Sequence, residues 1–240
     1  MDHSILPAVY IGKLTNFSSN QAKDYFESLK EFFTQFHESG YLIVETSEIL
    51  QEHEVLVSHK QDFEDQSSLS NIISILTELN YNISTTTNFS KIVQEYLSNL
   101  HIPAHKVVNI TIHETDKQKL LTIGKRLVTI RENNFMIIGI GNITHMNKIA
   151  NDDMREAIKE FDSWIRVKLW EFDYYAIRDI QTYFPFSPDL YLDNIIYYGP
   201  FLVIFGSLIG TDVLYDLYTG FEANNSLRSF YFTSHALVRE

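Results

Sequence analysis

The chain has 240 residues, enough for one α/β domain with a substantial core, and its 45% hydrophobic and 21% charged residues give an ordinary globular balance that excludes disorder. A net charge of −12 speaks against nucleic acid or an anionic membrane surface as a main partner. With no cysteine in the chain, disulfides, thiolate metal sites and cysteine nucleophiles are excluded.

In chain order, Pro7 to Ile11 predicts a first strand ended by Gly12. Ser18 or Ser19 caps a helix running to about His37, with Tyr25, Leu29, Phe32, Phe33 and Phe36 as its apolar stripe. Gly40 stops it, and Tyr41 to Thr46 is the second strand. A short strand over Glu54 to Ser58 leads into a polar stretch, His59 to Ser70, expected to be a long loop. Helix Ser70 to Leu79, strand Tyr81 to Thr86 and helix Phe89 to Leu100 follow, the last broken by His101-Ile-Pro. Val107 to Ile112 predicts a strand and Thr115 to Arg131 a helix capped by Thr115, with Arg126 and Arg131 near its end as the dipole favours. Beyond Asn147 a helical region runs from about Asp152 to Leu169 and in pieces to Tyr183, where Pro185 and Pro188 punctuate it. Tyr191 to Leu208 predicts another helix, interrupted near Gly199-Pro200, and Val213 to Tyr218 and Leu227 to Phe232 are two closing strands around Gly220.

Strand and helix alternate through most of the length, which predicts an α/β fold with a mostly parallel central sheet and helices on both faces. No internal repeat or composition shift marks a linker, so residues 1–240 are read as one domain. The first residues, Met-Asp-His-Ser-Ile-Leu-Pro, have no basic segment before an apolar one and do not read as a signal peptide. The most apolar window, Ile195 to Gly210, is short and holds Gly199, Pro200 and Gly206, so a bilayer span is not expected. A cytoplasmic location is the expectation.

The stretch Phe135 to Asn147 is the focus of the chain. An apolar run suited to a doubly buried strand reaches Gly139 and Gly141, which are expected to let the backbone turn, and Asn142, Thr144 and His145 follow at the carboxyl end. Open α/β sheets bind ligands beyond those ends, so His145 is a candidate proton carrier. Set alone, a Gly-x-Gly followed by histidine reads as a loop histidine satisfied by backbone groups.

The flanking segment, Lys106 to Asn147, with its Gly-Asn-Ile-Thr-His-Met-Asn ending, resembles the class III extradiol ring-cleavage dioxygenases, in particular the DOPA dioxygenases and the protocatechuate dioxygenase β subunit. Pro7-Ala-Val-Tyr-Ile-Gly resembles the family's first strand, Gly199-Pro-Phe-Leu-Val-Ile-Phe-Gly its late helix, and Gly220-Phe-Glu with Ser226-Leu its C-terminal signature, with Asn224-Asn225 in place of a glycine region. The resemblance covers nearly the whole chain and implies the family's α/β fold, with His145 at the position of the acid/base histidine. It further implies a non-haem iron(II) held by two histidines and a third protein ligand, with open positions for catecholate and dioxygen.

The positions that the resemblance assigns to those ligands have changed. A lysine, Lys13, stands where the first histidine is expected, in Gly12-Lys-Leu-Thr-Asn. Ser47, in Glu45-Thr-Ser-Glu48, stands at the second, and the third falls at or near Tyr197. An Asp-His-Gly pocket motif expected near Asn88 to Lys91 is absent. A lysine ammonium repels a divalent cation, and losing even outer-shell partners typically costs roughly 10–100-fold in affinity, so no metal ligand is assigned and no cofactor is expected. His53 and His59, and His101 and His105, are read as surface residues, the second pair being split by Pro103. No nucleophile elbow, P-loop or full dinucleotide fingerprint is present.

The pocket candidates are therefore Lys13, Glu45, Ser47, Glu48, Asn142, Thr144 and Tyr197 around His145, with Lys13 expected to pair with Glu45, Glu48, His145 or Tyr197 in place of the metal. The expected function is a catalytically silent homologue that binds a small aromatic molecule or serves as a partner subunit, in a homo-oligomer or beside an active homologue. Two alternatives stay open: an enzyme of this fold using Lys13 and His145 for metal-independent chemistry, and an iron dioxygenase whose ligands lie elsewhere. Clusters such as Tyr174-Tyr175 and Tyr197-Tyr198 are expected in the core or at a subunit interface.

Overall fold

The computed structural model describes residues 5–36, 39–144, 152–184, 195–222 and 225–234. Among them the strands are β1 (Ala8–Gly12), β2 (Gly40–Thr46), β3 (Glu54–His59), β4 (Asn82–Thr86), β5 (Val107–Ile112), β6 (Phe135–Gly141), β7 (Asp212–Tyr218), β8 (Phe221–Glu222), β9 (Asn225–Ser226) and β10 (Ser229–Ser234). The helices are α1 (Asn20–Thr34), α2 (Gln66–Glu78), α3 (Lys91–Leu100), α4 (Lys117–Glu132), α5 (Asp152–Trp170), α6 (Tyr174–Arg178), α7 (Ile180–Tyr183) and α8 (Ile195–Gly206).

The main sheet has eight strands in the order β4-β3-β5-β2-β6-β1-β10-β7. Its centre, β5-β2-β6-β1, is parallel. The central strands are mostly apolar and largely buried on both faces, as a parallel sheet covered by helices requires, with Glu45 on β2 and Asn109 and Thr111 on β5 as buried polar exceptions. On either side the direction reverses, with β3 antiparallel to β5 and β10 antiparallel to β1, so the sheet is mixed. Helices cover both faces, as expected. Val9, Ile11, Ile43 and Ile138 pack under α1 and α3, while Leu42, Val44, Ile110 and Ile137 pack under α2, α4, α5 and α8. No helix among the described residues is long and apolar enough to cross a membrane.

Several boundaries differ from expectation, each for a local reason. The stretch over 59–70 is not all loop: α2 starts at Gln66 because Asp65 accepts the Ser68 amide at 3.0 Å. The cap of α4 is Asp116 and not Thr115; its carboxylate takes the amides of Gln118 and Lys119, which a threonine one residue earlier does not do. Of the two serines proposed for α1, Ser19 is the cap. Gly139 and Gly141 do not form a turn. Both lie inside β6, and a Cβ on either would stand 2.7 Å from Ile204 or from the Tyr197 carbonyl, so their bareness lets α8 rest on the sheet. Helix α8 runs through Gly199-Pro200 without a break. Pro200 lacks the N–H for the Ile196 carbonyl, but contact with β6 and α4 outweighs that one lost bond. The predicted start of this helix at Tyr191 lies outside the described residues.

The aromatic stretch from α5 onward is divided. Phe161, Phe184 and Tyr198 are buried, whereas Trp170, Tyr175 and Tyr183 are exposed.

Candidate functional site

The carboxyl ends of β1, β2, β5 and β6 share one edge of the sheet, and there the α1/α3 layer leaves a cleft of about 520 Å³, a size suited to a small ligand. Its lining includes Lys13, Glu45, Ser47, Glu48 and Tyr197. These five expected residues come from the ends of β1 and β2, the loop after β2, and α8, far apart in sequence. Asn142 and Thr144 stand nearby without lining the cleft. The Asn142 amide donates to the Tyr197 carbonyl at 3.0 Å, and the Thr144 hydroxyl accepts the Ser226 amide, so both join the cleft's supports together. Thr144 is thus a structural acceptor and not a pocket residue. His145 lies outside the described residues.

The lysine is held at its base. A Cβ at Gly12 would lie 2.7 Å from the Leu227 backbone, so only glycine lets the end of β1 pass there. The Gly12 carbonyl accepts from Tyr25 at 2.6 Å and Tyr96 at 2.8 Å, and the Lys13 amide donates to Gly141 at 2.7 Å. Beyond it, the Glu222 carboxylate receives the Thr15 and Asn16 amides, at 2.6 and 2.9 Å. That is the local role of the Gly-Phe-Glu sequence at 220–222. The lysine stem is half-buried, and burial pushes its ammonium below the ordinary lysine value. The charges of Glu45 and Glu48 push back through space without cancelling that effect. Among the described residues no ion pair within 4.0 Å joins it to Glu45 or Glu48, two of its four expected partners; His145, another of the four, lies outside the described residues.

The reason is that Glu45 is already bonded. Alternation along β2 turns it to the α1/α3 face, and register places it beside Thr111 on β5. Its carboxylate receives Asn109 Nδ2 at 3.0 Å, Thr111 Oγ1 at 2.9 Å and Ser90 Oγ at 3.0 Å. Ser90 is also the cap of α3, accepting the Val93 amide, so the acid ties β2, β5 and α3 into one unit. Tyr197 is raised above an ordinary phenol, first by burial and then by the Glu48 charge, which keeps it protonated at neutral pH.

Sequence reading missed Asn109, Thr111, Ser90 and Phe89. The signal was present in part: asparagine and threonine two apart in the buried strand Val107-Val-Asn-Ile-Thr-Ile112 share a face, and polar groups there need a partner. The lining also has an apolar part, with Phe89 and Ile92 on the α3 side, Leu56 on β3, and Ile49, 93% exposed, at the rim, beside the polar Thr46, Ser58 and Asn88.

A lysine ammonium, a serine hydroxyl and a tyrosine occupy the positions at which the resemblance implies iron ligands, and the neighbouring carboxylate, Glu45, already serves three neutral donors. This donor set does not fit iron(II) held by two histidines. His53, His59, His101 and His105 do not gather elsewhere: among the described residues no three histidine, aspartate or glutamate side chains are placed to share an ion.

No protein-family model matches this chain, and no curated protein matches it in sequence. Among solved structures it is similar to the crystal structure of the uncharacterized protein JW3007 from Escherichia coli K12, with a TM-score of 0.71 and 15% identity. The match covers 94% of this chain and 99% of that one. At this identity the likeness bears on the fold alone.

Proposed function

We propose that this chain is a divergent homologue of the class III extradiol dioxygenases that binds a small aromatic molecule in the Lys13–Tyr197 cleft and does not open its ring. The reading is supported above all by the convergence of Lys13, Glu45, Ser47, Glu48 and Tyr197 on one cleft at the carboxyl edge of a parallel sheet. The positions that the family resemblance singles out as chemical thus lie together, while the side chains standing there are poor iron ligands. Phe89, Ile92 and Leu56 supply apolar walls for a ring, and Glu48 and Tyr197 supply polar partners for its substituents.

The test uses purified protein supplied with iron(II), catechol or DOPA, and air. The expected result is saturable binding of the catechol, seen as shifts of aromatic signals in the cleft, with no ring-opened product by absorbance. Iron-dependent ring opening that is lost in His145→Ala would overturn this reading in favour of a true dioxygenase.

A further inference from the structure

We propose that the cleft takes a small aldehyde or ketone with an apolar or aromatic body and captures it as an imine on Lys13. This rests on the reading of the cleft as the ligand site and names the ligand's reactive group.

Three observations carry it. First, the lysine is anchored at its base: the two tyrosine hydroxyls on the Gly12 carbonyl and the Gly141 carbonyl on the Lys13 amide hold its backbone, and its side chain lines the cleft. Second, it does not act as a structural ion. Lys119, Lys159 and Lys168 each hold a carboxylate at 3.5, 2.7 and 2.6 Å, whereas Lys13, inside a cleft with two acids, has neither within 4.0 Å. Glu45 is withdrawn from pairing by Ser90, Asn109 and Thr111, which leaves its charge to act across space. Third, the acids suit the product. An imine formed here carries a proton, and the Glu45 and Glu48 charges that act on the ammonium act equally on that iminium.

The chemistry balances with no oxidant or reductant. The ammonium first releases one proton to solvent or to Glu48, a step favoured by the burial that lowers its proton affinity. The amine lone pair forms the C–N bond as the carbonyl π pair moves to oxygen, and the nitrogen's extra proton passes to that oxygen to give a neutral carbinolamine. The C–O bond then breaks as the nitrogen lone pair forms the C=N bond, and the oxygen leaves as water with a second proton. Tyr197, protonated at neutral pH, supplies that proton and is restored by the one first released. The net change is ammonium plus carbonyl to iminium plus water, with charge conserved. The apolar body lies against Phe89, Ile92 and Leu56, with exposed Ile49 at the outer rim.

The probe is 4-hydroxybenzaldehyde at substoichiometric concentration, incubated with the intact protein, reduced with borohydride, and mapped by peptide mass spectrometry. The expected result is an adduct of the aldehyde's mass less one oxygen on Lys13, formed severalfold faster than on any other lysine. The adduct is absent from Lys13→Arg, which keeps the charge but offers no amine, and the wild-type map stands even if that variant folds poorly. The alcohol analogue, 4-hydroxybenzyl alcohol, separates the two ideas. If it binds with cleft shifts while the aldehyde labels Lys13 no faster than surface lysines, the imine is overturned and the ligand site survives. If neither compound binds, both fall.

Discussion

Lys13 carries the main energetic conflict of the site. Its ammonium is half-buried and, among the described residues, without a direct carboxylate partner, so the folded state holds its proton less tightly than the unfolded chain does. A base whose folded value is lowered imposes a penalty that is present in full below that value. The penalty is relieved as pH rises toward the ordinary lysine value of 10.5. Stability therefore climbs with pH across that window. Lys13→Met keeps most of the stem and removes the charge, and it is expected to raise stability at pH 7 by about 0.5–2 kcal/mol, read by urea unfolding, with the gain shrinking toward pH 10. A loss of stability at pH 7 would mean that Lys13 stands in for a metal as a structural cation, which is what the sequence alone suggested. Glu45 differs in its surroundings: three side-chain donors, from Ser90, Asn109 and Thr111, reach its carboxylate oxygens.

At the scale of elements, the cleft exists because α8 lies close against both β6 and α4. The contact with α4 is glycine to backbone: a Cβ on Gly124 would run into the Val203 carbonyl, and one on Gly206 into the Leu121 carbonyl. Neither neighbour is a flexible side-chain end, so the helices must separate to admit a methyl group. Gly124→Ala is expected to cost about 1–3 kcal/mol by thermal unfolding. It should also move α8, so that ligand binding at Tyr197 weakens with it. The corresponding change at Gly206 adds less than its own cost, because both loosen one interface. An additive pair would show the two contacts to be independent. These glycines also mark what the sequence could convey. Apolar strands and amphipathic helices declare themselves by period, so β1, β2, β5, β6 and the stripe of α1 were legible, as was the gathering of Lys13, Glu45 and Tyr197 once the resemblance aligned them. Gly139 and Gly141 looked like a turn because a missing side chain reads alike whether the chain bends or another helix approaches. The Ser90–Asn109–Thr111 cradle for Glu45 depends on register between β2 and β5, which no single segment encodes.

Across the whole molecule, Glu114 and Asp65 are buried or capping acids that contribute to acid stability, and Glu114 gathers partners from segments far apart in sequence. It is wholly buried and accepts from the Tyr81 hydroxyl at 2.7 Å and from the Thr115 and Asp116 amides at 2.9 and 2.8 Å, with Lys119 and His53 each 3.5 Å away. Burial alone raises its carboxyl, but the Asp116 amide, the Tyr81 hydroxyl and the Lys119 and His53 charges outweigh that and hold it below the ordinary value of 4.5. Asp65, the cap of α2, behaves alike: burial raises it, and the Ser68 and Ser67 hydrogen bonds bring it below 3.8. An acid whose folded value is lowered contributes stability that is present above the unfolded value and lost as pH falls through the folded one. The net charge of −12 works the other way between pH 7 and the isoelectric point near 5.1, since protonating exposed acids relieves self-repulsion. The expected profile is level or slightly rising from pH 7 to about 5, then steeply falling below about 4.5, where Glu114 and Asp65 begin to bind protons that the unfolded chain binds more readily. Glu114→Gln keeps the shape, and it should lower stability at pH 7 while flattening the acid limb, because the wild-type chain loses on acidification what the variant has already lost. Urea unfolding at pH 7, 5 and 3.5 on both proteins decides it. Parallel acid limbs would place the proton uptake elsewhere and remove Glu114 from this role.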